Sequence, residues 1–171
     1  MQEVNHVAAT ETTFDGVRVR FDSDRTVPEL YDALLADVGT HPVPINDIAA
    51  QHADWASYEH AVEQYVGPHG FMLFATFDHG AWIGKAGIDR RVLRVIVGNP
   101  LIAITMLRHD ITAGLFAPVE LLLTEEDGDR SALTYVRPSS LMVVEPNPPL
   151  LEAALALDEK LAAMAESVTA G

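Results

Sequence analysis

The stretch Val95–Arg137, VIVGNPLIAITMLRHDITAGLFAPVELLLTEEDGDRSALTYVR, decides the fold, because a strand, a capped helix and a hairpin follow one another in it. It opens on the end of RVLRVIV, a β-branched, apolar run with strand composition. Asn99 then carries the side chain of an N-cap, and Pro100 brings the fixed φ of a first helical position. The run LIAITML behind them is apolar on every side and predicts a buried helix. Beyond Pro118, VELLLTE and RSALTYV flank Asp127-Gly128, a pair suited to the positive φ of a two-residue hairpin turn. A turn of that length places Leu122 opposite Leu133 and Glu120 opposite Tyr135, all on one face.

Working outward, FDGVRVRF alternates Val17, Val19 and Phe21 against Arg18 and Arg20, the period of a half-buried strand. Thr26-Val27-Pro28-Glu29 reads as a capping box, Leu30, Leu34 and Val38 give the helix behind it an apolar face, and Gly39 ends it. Residues 46–66 form a helical insertion, as one helix or two, with Trp55, Tyr58, Val62 and Tyr65 at helical spacing. GFMLFATF and AWIGKA read as strands on either side of Asp78-His79-Gly80, with RVLRVIV following as the next antiparallel neighbour. Pro-rich EPNPP leads into a C-terminal helix over 149–167, with Leu150, Leu157, Leu161 and Met164 on its inner side. The expected architecture is α+β, two-layer: a curved, mainly antiparallel sheet with helices chiefly on one face.

A chain of 171 residues, 49% of them hydrophobic, fills one core, so a single domain over 14–171 is expected, preceded by a flexible N-terminal arm over 1–13. Eleven basic residues against 25 acidic ones leave a formal charge of −14, which argues against nucleic acid and anionic membrane surfaces as partners. The absence of cysteine removes disulfides, thiolate nucleophiles and cysteine-ligated metals. MQEVNHVAATETT has no basic start followed by an apolar run, so a soluble, cytoplasmic protein is expected.

The stretch from Gly98 to Pro138 resembles the domain-of-unknown-function family numbered three hundred and two, in which Asn-Pro opens a buried helix and a Leu-x-x-Pro segment starts a hairpin. The resemblance extends more loosely from Phe14 to Met142 and implies a similar two-layer fold, with no assigned activity. Members often carry cysteine just before the Asn-Pro and just after the Leu-x-x-Pro proline, where this chain has Gly98 and Val119. Thiol or metal chemistry performed by a relative therefore does not transfer.

No nucleophile elbow, phosphate loop, dinucleotide fingerprint or His-Glu-x-x-His is present, so no cofactor is expected. His52 and His60, eight apart on one helix, would lie about 12 Å and about 80° apart, too far to share a metal. His60 and Glu63 would need a third ligand from His41 or His69, and a solvated face explains them better, so no metal is expected. Asp78-His79 reads either as a polar turn or as an imidazole with a carboxylate that fixes its tautomer, the arrangement of a general acid or base. His109 at a helix C-terminus is explained by the dipole as well as by catalysis. Glu120 must be solvent-facing, paired or functional, with Tyr135 as its cross-strand partner.

Three functions compete. The first is a small-molecule-binding domain with an apolar cavity between sheet and helices, lined by Trp55, Phe74 and Trp82, with Lys85 and Asn99 as polar groups. The second is a cofactor-independent lyase, isomerase or cyclase using His79 or His109, with Asp78, Glu120 or Tyr135 assisting. The third is a structural or regulatory protein working through its acidic surface or as a homodimer. Fold alone does not choose among them.

Overall fold

The alternation of Val19 and Phe21 with Arg18, Arg20 and Asp22 makes the first strand, β1 (Arg18–Ser23), in the computed structural model, which describes residues 9–171. It is followed by β2 (Met72–Asp78), β3 (Val92–Gly98), β4 (Val119–Glu126) and β5 (Arg130–Val136). All pair antiparallel, in the order β1-β5-β4-β3-β2. Helix α1 (Val27–Val38) begins at the expected capping box, with the Thr26 side chain accepting from Glu29 N and Glu29 accepting from Thr26 N at 2.8 Å. Its buried Val27, Leu30, Leu34 and Val38 lie on one stripe against β2, β4 and β5. The C-terminal helix, α7 in chain order, runs Pro148–Thr169 and covers β1 and β5 from the same side. Leu150, Leu157, Leu161 and Met164 are buried beneath it, as their spacing predicts. The fold is α+β, with one antiparallel sheet and its main helices on one face.

The insertion resolves into two helices, α2 (Ile45–Gln51) and α3 (Trp55–Glu63). Asp54 separates them by capping α3, its carboxylate accepting from Ser57 N at 2.9 Å. The helices form a second, smaller core in which Val43, Ile48 and Val62 pack on Met72. His52 ends α2 and His60 belongs to α3, so of the two expected alternatives the second holds and the two histidines share no helix.

Three expectations fail, each for a local reason. AWIGKA is not a strand: Gly80–Ile83 forms a short helix, α4, and Gly84–Ala86 a 3-10 turn. Asp78 accepts from Ala81 N at 3.0 Å and turns the chain into α4, so β2 pairs directly with β3. The hairpin loop holds three residues, Asp127, Gly128 and Asp129, with φ of 76° at Gly128 and 59° at Asp129. That extra residue shifts the register by one, so Leu122 faces Thr134 and Leu123 faces Leu133. Tyr135 therefore points into the core, stacked on Phe21, while Glu120 is exposed on the opposite face. Finally, α5 (Pro100–Leu107) fully buries only Met106, and its other apolar residues stay half-covered.

A 3-10 segment, Ile111–Phe116, and a short helix α6 (Pro138–Met142) complete the chain. The first eight residues of the expected arm lie outside the described residues. Nearer the strand, Phe14 packs edge-on against Phe116 with ring centroids 6.2 Å apart.

Candidate functional site

The end of β3 and the start of β4 open onto a groove of about 590 Å³. Sequence builds its walls directly. Asn99 caps α5, its side-chain oxygen accepting from Leu101 N at 2.8 Å while its amide donates to Gly70 O at 2.8 Å. The helix launched there presents Ile102, Ala103 and Met106 to the groove, and Leu157 of α7 adds an apolar contact. Across from them, Val43 donates its N–H to Leu73 O at 2.8 Å, tying the approach to α2 against the sheet. Val43 and Ile45 form that wall, and Asn46 and Asp47 are its exposed polar groups.

Gly98 lies where the two segments of the family motif meet. A Cβ there would stand 2.9 Å from the Phe74 ring and 3.0 Å from Pro118 Cβ, so the absent side chain lets β3 and the Ala117-Pro118 segment close together. Gly98 and Val119 both line this groove. The chemistry available is accordingly apolar contact plus a few polar atoms at the mouth. The polar atoms of Asn99 already have partners, which leaves Asn46 and Asp47 as the exposed polar side chains of the groove.

Of the expected ligand residues, Phe74 and Asn99 line the groove. Trp55, Trp82 and Lys85 do not: Trp55 packs on Tyr58 at the outer side of α3, and Trp82 and Lys85 sit on the exposed α4 and 3-10 turn. The expected acid–base residues are dispersed. Asp78 binds Ala81 N rather than the His79 ring, and His79 instead meets Trp82, whose indole N–H lies 3.3 Å from His79 Nδ1. His109 is exposed at the end of α5, and its carbonyl accepts from the Asn147 amide. The neighbouring Asp110 caps the next segment, and the Thr112 hydroxyl and N–H hold its carboxyl below the usual range. Glu120 pairs with Arg94, whose Nε donates to it at 3.1 Å. Burial pushes the Tyr135 phenol up, so its neutral form is favoured.

One pair escapes sequence reasoning. Asp37, at the buried end of α1, shares a hydrogen bond with the ring of His69 in the turn before β2. Asp37 Oδ1 has no partner among the described residues. The two residues are 32 apart and sit in segments with no shared motif, so only the fold brings them together. Among the described residues no three histidine or carboxylate side chains gather to hold a metal, and the His60–Glu63 pair stands 4.0 Å apart on the surface of α3.

Comparisons with known proteins agree on the fold. A family model described as "Domain of unknown function DUF302" matches residues 47–168. A crystal structure of an uncharacterized conserved protein DUF302 from Bacillus stearothermophilus is similar, with a TM-score of 0.62 and 18% identity. The likeness covers 88% of this chain and 97% of that one, and at such identity it shows the fold alone. No curated protein matches the chain.

Proposed function

The chain belongs to the DUF302 family, and from that premise we propose that it binds a small, mainly apolar molecule in the groove between α2 and α5. The observation that carries this reading is the groove itself: about 590 Å³, with Ile102, Ala103, Met106 and Leu157 opposite Val43 and Ile45. That volume lies within the range of about 300–1,000 Å³ in which small ligands are held. The chemistry of the walls selects the ligand class. Pro100 brings no N–H, and the N–H groups of Leu101, Ile102 and Ala103 are already used by Asn99, so α5 offers no anion site. Asp47 at the mouth and the formal charge of −14 add repulsion for anions. The ligand is therefore neutral or carries its positive end at the rim, with its apolar body inside.

Titration with N-phenyl-1-naphthylamine, a neutral apolar fluorophore, tests the reading. Saturable enhancement is expected from the native chain, and Ala103→Phe, which fills the groove from α5, should weaken it by about tenfold or more. His79→Ala, outside the groove, should leave it unchanged. Enhancement that never saturates, or that survives Ala103→Phe at full affinity, overturns the assignment.

A further inference from the structure

Among the described residues, one charged side chain lines the groove between α2 and α5, and we propose that the ligand is a small amine whose ammonium is held there, at Asp47, with its apolar body along α5. The inference rests on the groove being the binding site. Its walls run through Val43, Ile45, Phe74, Ile102 and Met106, and among the described residues no lysine, arginine or histidine joins them. Asp47 is the third residue of α2 and lies exposed at the rim. Other carboxylates are committed: Asp54 caps α3, Asp78 accepts from Ala81 N, Asp110 accepts from Thr112 N, and Glu120 pairs with Arg94. Asp47 makes no hydrogen bond or ion pair of that kind among the described residues.

Charge complementarity selects the ligand's polar end. An alcohol or hydrocarbon makes the apolar contacts and leaves Asp47 to water, while a carboxylate or phosphate sets like charges side by side. An ammonium presents three N–H donors, so one can reach Asp47 while another meets the exposed amide oxygen of the neighbouring Asn46. Deeper in the groove there is nothing polar left to bind, because the Asn99 side chain is bonded to Leu101 N and Gly70 O. The body of the ligand therefore meets apolar walls alone. The formal charge of −14 adds a long-range attraction for the same cation.

Calorimetry of the full chain with three compounds that share one apolar body, 1-naphthylmethylamine, 1-naphthalenemethanol and 1-naphthoate, tests this near neutral pH. In about 0.05 M NaCl the amine is expected to bind about threefold to fivefold more tightly than the alcohol, and the naphthoate more weakly than either. Asp47→Asn should abolish the amine's advantage. The readout is the ratio of the two affinities, so a shift of α2 that weakens both compounds alike does not imitate that loss. Asp89→Asn removes the same charge from the exposed loop at the opposite end of β3 and should keep the ratio. An amine that binds no better than the alcohol, an advantage that survives Asp47→Asn, or one that Asp89→Asn removes equally, overturns the proposal and leaves the groove as a site for apolar molecules. If none of the three compounds binds, the reading of the groove falls and this proposal falls with it.

Discussion

Single side chains hold the ends of elements together here, and their effects are separable. Asp37 is buried with His69 as its partner, so His69→Ala leaves a desolvated carboxylate unpaired. A loss of about 2 kcal/mol is expected in urea unfolding, and Asp37→Asn/His69→Ala should recover part of it. Recovery of nothing would mean that the pair contributes through packing rather than charge. Thr26→Ala, at the other end of α1, removes the N-cap and should cost about 1 kcal/mol. The same box gives α1 a pH dependence. Hydrogen bonds from the Thr26 N–H and hydroxyl hold the Glu29 carboxyl below the usual range. A depressed carboxylate stabilises the fold above its unfolded pKa, and that contribution is lost as pH falls through the folded value. Thermal unfolding should therefore show the gap between native and Thr26→Ala narrowing below the ordinary carboxylate range, and a gap that widens there would contradict the box.

At the scale of elements, the hairpin is the place where one residue matters most. Gly128 adopts φ of 76° in a loop of three, so Gly128→Ala should destabilise by about 1 kcal/mol. Equal stability of that variant would mean that the loop has another conformation in solution. The existence of β4 and β5 is legible in the alternation of VELLLTE and RSALTYV, and so is the Asp-Gly turn. Their register is not, because Asp127-Gly128-Asp129 fits a two-residue or a three-residue loop equally well by composition. The choice between them moved Tyr135 from beside Glu120 to the opposite side of the sheet. AWIGKA shows the same limit. Its apolar residues suit a strand, but the Asp78 carboxylate accepts from Ala81 N and the chain continues as a helical turn in place of a ladder.

For the whole molecule, the dominant long-range effect is self-repulsion from a formal charge of −14. Screening relieves it, so raising NaCl from about 0.05 M to about 0.5 M should lift the unfolding temperature by about 2–4 °C. A fall in that temperature would show that the ion pairs of the sheet outweigh the net charge. The sequence by itself determined the capping box at Thr26, the Asn99-Pro100 helix start, the amphipathic α7 and hence an α+β fold, because each signal is carried by residues within a few positions of one another. The likeness of the Gly98–Pro138 stretch to its family was legible for the same reason. Only the tertiary structure decided that Phe74 and Asn99 share a groove while Trp55 and Trp82 do not, and that Asp37 meets His69. Those outcomes depend on strand register, on where α2 and α3 dock against Met72, and on how far each turn rotates the chain. Such quantities are set by packing among residues distant in sequence, where a shift of one position reverses which face a side chain occupies.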